Sequence, residues 1–188
     1  MCRRHSCPGG PLCRRGQKRG SEGSNASNEA LGRSRGGFST KIHLLCDSHG
    51  HPLTAVLSPG QSHESKSLSE VMKQVDVHGT GDSIPIVPAK LAGDKGYRYD
   101  WIDKWLIDEG ITPVIPSKQN EDRTARPVEF DKPSYRKRAI IEQLIGWLKE
   151  CRRVATRYEK LARHYLSMVK LSMIGRYLRL IAPADSRV

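Results

Sequence analysis

Phe38-Ser-Thr-Lys-Ile-His-Leu-Leu-Cys46 is rich in residues suited to a pleated strand, Asp47-Ser-His-Gly50 turns the chain, and His51-Pro-Leu-Thr-Ala-Val-Leu57 supplies the return. The pattern predicts a β-hairpin with a four-residue turn. Beyond it, helical and strand periods alternate. Ser62 to Val77 carries Leu68, Val71, Met72 and Val75 at helical spacing, with Ser62 or Ser65 as a cap and Glu64 suited to the positive end. Ile84 to Leu91 is an apolar run broken by Pro85 and Pro88, with strand character just before Asp94. Tyr99 to Glu109 sets Trp101, Ile102, Trp105 and Leu106 on one helical face. There the two Trp read as core anchors and Asp100, Asp103 and Asp108 as solvated positions. Ile111-Thr-Pro-Val-Ile115 is a short strand, and 116–128 is a polar loop. From Ser134 to about Cys151, Ile141, Leu144, Leu148 and Cys151 fall on one helical side. A last helix, about Tyr165 to Leu178, presents Tyr165, Leu166, Val169, Met173 and Tyr177. The order hairpin, helix, strand, helix, strand, helix predicts an α/β layer fold.

A chain of 188 residues can bury one real core. Residues 1–37 are dominated by Gly, Ser, Arg and Asn and show no strand or helix period, which predicts a disordered basic arm. The expected organisation is this arm, a domain over 38–180 and a flexible tail over 181–188. The formal charge of +12 favours a polyanionic partner. Nucleic acid comes first, with the ribosome or anionic lipid as alternatives. No apolar run approaches the length of a membrane span, and Met1 to Gly20 has no apolar h-region, so the cytoplasm is the expected compartment. Five cysteines stand at positions 2, 7, 13, 46 and 151. Cys2, His5, Cys7 and Cys13 lack a second paired spacing, so reduced thiols are expected rather than a zinc knuckle.

Two acids stand out. Asp94 follows the strand-like run, where ligand-binding residues of α/β sheets gather; a solvated turn residue is the alternative. Glu142 sits 48 residues later within Tyr135-x2-Arg138-x3-Glu142-x6-Lys149, a polar stripe on one side of a basic helix. Positions 132–160 hold nine Lys or Arg and three Glu, which makes Glu142 unusual there. An Arg138–Glu142 surface pair explains two members of the stripe but leaves Tyr135 and Lys149 unexplained. A metal on Glu142, with Arg138 and Lys149 on flanking phosphates and Tyr135 against a sugar or base, explains all four. Phosphodiester cleavage needs hard carboxylates of this kind to hold Mg²⁺.

Several longer stretches carry a resemblance. They are Leu31-Gly-Arg-Ser-Arg-Gly-Gly-Phe-Ser-Thr-Lys-Ile-His43, Pro59-Gly-Gln-Ser-His63, Gly93-Asp-Lys-Gly-Tyr97, Ile141-Glu-Gln-Leu-Ile-Gly-Trp-Leu-Lys149 and Arg153-Val-Ala-Thr-Arg-Tyr-Glu-Lys160. On these, residues 31–180 resemble the carboxyl-terminal part of bacterial insertion-sequence transposases of the Asp-Asp-Glu (DDE) group, IS4/IS5-like. The resemblance implies an RNase H-like domain that cleaves the ends of an element and joins the free 3′-OH to target DNA. It makes Asp94 the second acid and Glu142 the last, both ligands of Mg²⁺ or Mn²⁺. DNA contacts are expected from Tyr135, Arg138 and Lys149 of the stripe and from Arg153 and Arg157 of the matching basic run, while Arg33 and Arg35 are either DNA contacts or solvated linker charges; a transposase homo-oligomer is admitted. His63 matches a position near the edge of the site, with an ordinary polar residue at a helix start as the alternative.

The chain departs from the family upstream. No Asp precedes Asp47, and the acids there are Glu22 and Glu29, without an apolar strand before them. Asp47 itself falls in the hairpin turn. The expectation is therefore an incomplete RNase H-like domain lacking its first central strand, with a leader up to about Gly16 read in a non-native frame. Weak metal binding and no transposition by the chain alone follow. The competing function is a non-catalytic basic DNA-binding protein that modulates an intact transposase.

Overall fold

The hairpin forms as β3 (Gly37–Cys46) and β4 (Pro52–Pro59), which pair with each other. Every β3 residue from Ser39 to Cys46 is buried. This strand lacks polar–apolar alternation because both its faces are covered. Its buried polar groups are satisfied: Thr40 Oγ1 donates to the Ala30 carbonyl at 2.7 Å, and His43 Nδ1 lies 3.1 Å from the Tyr97 hydroxyl. The computed structural model describes residues 2–8, 29–34, 37–75, 87–122, 126 and 128–181. Cys13, Glu22, Arg35, residues 84–86 and the 182–188 tail lie outside these described residues.

Two further strands belong to the same sheet, β1 (Cys2–Pro8) and β2 (Gly32–Ser34), in the order β1-β3-β2. β2 runs antiparallel to β3, with Gly32 opposite Ser39 and Ser34 opposite Gly37. Here the reading of 1–37 as free of strands is corrected. Pairing along β3 outweighs the weak intrinsic preference of these segments, as sheet context commonly does. The fold is a mixed α/β one, and nothing among the described residues marks a missing central strand.

The chain divides into two compact units. The first comprises 1–4, 43–54 and 63–143. It holds α1 (Ser65–Lys73), β5 (Lys90–Ala92), α2 (Asp100–Asp108), β6 (Thr112–Val114), α3 (Lys132–Arg136) and the start of α4 (Ala139–Glu150). β5 and β6 pair in parallel, with Leu91 opposite Pro113 and Ala92 opposite Val114, so α2 is the crossover of a β-α-β unit. Leu68, Val71, Leu91, Ile102, Leu106, Ile111, Val114, Ile115 and Ile141 are buried. Each such side chain contributes roughly 1.5–3 kcal/mol of transfer free energy.

On α2 the buried face is Ile102, Asp103 and Leu106, while Trp101 is 50% exposed. Trp101 as a core anchor and Asp103 as a solvated position are therefore corrected, while Trp105 is half-buried. Burial of Asp103 is possible because cations surround it. Arg126 grips it through Nε at 2.8 Å and Nη2 at 3.1 Å, and Arg98 Nη1 lies 3.2 Å away. Arg98 also pairs with Glu121 and Asp100. Burial acts to lower the Arg98 pKa, but the hydrogen bonds to Glu121 and Asp100 outweigh it and raise the value.

The second unit comprises 5–42, 55–62 and 144–188. It includes α5 (Arg152–Ala155) and α6 (Ala162–Ile181). Tyr165, Val169 and Met173 are buried, and Tyr165 Oη donates to the Val154 carbonyl at 2.8 Å. Leu166 and Tyr177, placed with them by periodicity, flank this face rather than forming it. The helix expected from Ser134 to Cys151 is two helices, α3 and α4. Because α4 ends at Glu150, Cys151 is exposed rather than on the apolar side.

Candidate active site

Asp94 stands two residues past the carboxyl end of β5, in extended conformation (φ −73°, ψ 161°), just before the 3₁₀ turn Lys95–Tyr97. Its carbonyl accepts the Tyr97 N–H at 2.9 Å, but its side chain makes no capping hydrogen bond. It is partly exposed. Tyr97 is buried and meets His43 of β3, which fixes the turn to the sheet. A second acid lies against this turn. Glu64 is 8% exposed, and a Cβ at Gly96 would collide with its Oε2. From the sequence, Glu64 was only a charge at a helix start. The signal that could have revealed it is Gly96 itself, since a glycine inside Asp94-Lys-Gly-Tyr97 marks a close approach.

Glu142 lies in the first turn of α4, and 42% of its side chain is exposed. Arg138 Nη2 is 3.0 Å from its Oε1, and the Arg138 guanidinium sits 5.2 Å above the Tyr135 ring. Tyr135 packs at 5.2 Å on Phe130. Three members of the stripe thus touch in sequence, although Tyr135 stands on α3. Lys149 is exposed in the last turn of α4. α3 is anchored by Asp131. Its Oδ1 accepts the Ser134 N–H at 2.9 Å, while Oδ2 accepts Ser134 Oγ at 2.6 Å and Lys90 Nζ at 2.7 Å. The Lys90 bond, then those from Ser134, hold the Asp131 carboxyl well below the usual carboxylate range. Asp94, Glu64 and Glu142 all belong to the first unit.

The other expected contacts divide. Arg33 is exposed and lies 5.8 Å over the Phe38 ring. Arg153 is exposed, with Nε 3.2 Å from Glu159 Oε1. His63 is exposed. Arg157 behaves differently, being 1% exposed. Its guanidinium donates to the carbonyls of Glu29 (2.9 Å), Glu159 (3.0 Å) and Lys160 (3.0 Å) and to Thr40 Oγ1 (2.6 Å). In this structure its donors serve the chain rather than an outside phosphate. Glu29 caps α6, accepting the Ala162 N–H at 2.7 Å.

A further group gathers at the hairpin turn, where Asp47, His49 and His51 each offer a ligand atom within 4.8 Å of the others. Gly50, at φ +84°, permits the turn. Burial acts to raise the Asp47 pKa, but hydrogen bonds from the His51 and His49 backbone and the His51 ring outweigh it and lower the value.

Residues 11–174 match the family described as Transposase DDE domain. The match covers most of the chain and does not single out a carboxyl-terminal piece. A Burkholderia cepacia protein provisionally named the transposase for insertion sequence element IS402 is 26% identical over 133 residues, 70% of this chain. The chain spans 59% of that relative's length. No solved structure matches.

Proposed function

Because the chain belongs to the Transposase DDE domain family, we propose that it acts on the DNA ends of an insertion element through Asp94 and Glu142. The family match over residues 11–174 carries this reading, and the partly exposed Tyr135–Arg138–Glu142 chain supports it. The donor set fits the cation that such chemistry uses. Both groups are hard carboxylates, Asp94 follows a parallel strand, and Glu142 is exposed. Bound Mg²⁺ or Mn²⁺ would activate a water or sugar hydroxyl and neutralise charge on the phosphate. The chain's own side chains position the DNA. Arg138 can exchange its partly exposed i,i+4 ion pair, worth only about 0.3–0.5 kcal/mol, for a forked contact with a phosphate. Tyr135 backs that guanidinium, and Lys149, Arg33 and Arg153 are further exposed cations open to phosphate.

The finer reading is that the chain alone binds DNA without transposing it. No Asp stands before Asp47, and two carboxylates place two ions less firmly than three. The test is incubation of the purified chain with Mg²⁺ or Mn²⁺ and a labelled duplex carrying the element's ends. Salt-sensitive binding without nicking is expected and fits a role in modulating an intact transposase. Nicking abolished by Asp94→Asn or Glu142→Gln would overturn the inactive reading and leave the site assignment standing. Failure to bind DNA at low salt would overturn both.

A further inference from the structure

The hairpin turn between β3 and β4 brings three donor groups together within five residues, Asp47-x-His49-x-His51. Asp47 Oδ1 accepts the backbone N–H groups of His49 (2.8 Å) and His51 (2.9 Å), which fixes the plane of the carboxylate. Its Oδ2 then faces both imidazoles, 2.7 Å from His51 Nδ1 and 3.7 Å from His49 Nδ1. The two rings lie nearly parallel, 22° apart in plane with centroids at 5.8 Å. Ligand bonds near 2.05 Å place neighbouring donors of a tetrahedral ion about 3.3 Å apart. The two measured separations bracket that value.

We propose that Asp47 Oδ2, His49 Nδ1 and His51 Nδ1 form a surface site for a borderline divalent transition-metal ion, with Zn²⁺ as its type. Two imidazoles and one carboxylate favour Zn²⁺, Co²⁺, Ni²⁺ or Cu²⁺ over Mg²⁺, which prefers oxygen alone. The site is therefore chemically distinct from the Asp94 and Glu142 carboxylates and does not rest on the DNA-cleavage reading. The backbone bonds on Oδ1 provide the outer support that orients a metal-ligating carboxylate. Ligation through Nδ1 places the ring proton of His51 on Nε2, so its hydrogen bond to Asp47 Oδ2 gives way to the two metal bonds. Three protein ligands leave a fourth position for water or an incoming donor, on the side where His49 is 76% exposed.

Titration of the full chain with ZnCl₂ in excess MgCl₂, followed by calorimetry, tests this directly. Co²⁺ substitution identifies the donors, because thiolate ligation adds a sulfur charge-transfer band that nitrogen and oxygen donors do not. One equivalent of Zn²⁺ is expected to bind despite the Mg²⁺, with no sulfur band. His49→Gln and His51→Gln are each expected to weaken binding by about ten-fold or more, since loss of supporting residues alone costs roughly 10–100-fold. His49 is exposed, so His49→Gln should keep the metal-free melting curve of the parent chain. The proposal is overturned if Zn²⁺ does not bind, if Mg²⁺ displaces it, if the sulfur band appears, or if both Gln variants bind as the parent does.

Discussion

Arg157 shows how one side chain can act inward where charge alone would point it outward. Its guanidinium is 1% exposed, stacked 5.4 Å over the Tyr165 ring, and gathers carbonyls from Glu29, Glu159 and Lys160. Removing it leaves buried acceptors without donors, so Arg157→Ala should cost on the order of 3 kcal/mol. Arg157→Lys should recover only part of this, since an ammonium lacks the planar fork. Urea unfolding checks the loss. DNA affinity measured on the folded fraction should not change, and a selective loss of affinity would return Arg157 to the DNA contacts. The sequence could not separate Arg157 from Arg153, because both sit in the same basic run. Burial of a cation depends on which distant carbonyls reach it. The same holds for Asp103, read as solvated until Arg98 and Arg126 are seen around it.

At the scale of elements, legibility followed the strength of local patterning. The β3–β4 hairpin was readable because Asp47-Ser-His-Gly50 supplies turn chemistry between two apolar runs. The strand, helix and strand around Asp94 were readable for a similar reason: short apolar segments flank an amphipathic helix. β1 and β2 were not, because their pairing is set by the long β3 edge rather than by their own composition. The break between α3 and α4 was also missed, since both sides of Lys137 keep the helical period. Asp131 holds α3 against β5 through Lys90. Its lowered pKa gives a signed expectation. A carboxyl depressed in the folded state contributes stability above its ordinary value of 3.8, and that contribution is lost as pH falls from there toward the lower folded value. Asp131→Asn keeps a capping oxygen but loses the charge facing Lys90. Parent and variant should therefore differ in melting temperature by a constant amount above about pH 5 and converge in acid. A gap that widens below pH 4 would contradict the assignment.

For the whole molecule, the net charge of +12 and the cations of the Glu142 stripe are the proposed source of its hold on DNA. Counterion release makes the logarithm of the binding constant fall linearly with the logarithm of salt concentration, with a slope of about −0.9 for each phosphate contact. In the proposed reading Arg138 and Lys149 make such contacts and read no base. Replacing either by Ala should reduce the slope by about one and weaken all duplexes to a similar extent. Glu142→Gln acts in the opposite sense. It removes the negative partner held 3.0 Å from Arg138, so binding without metal should be unchanged or slightly tighter. Filter binding or fluorescence anisotropy across a salt series measures all three variants. If Arg138→Ala and Lys149→Ala leave the slope intact, DNA lies on another face of the chain, and the stripe around Glu142 is a solvated helix surface. If the slope falls only for Arg138, the phosphate contact is confined to the Tyr135–Arg138–Glu142 cluster, and Lys149 at the far end of α4 takes no part.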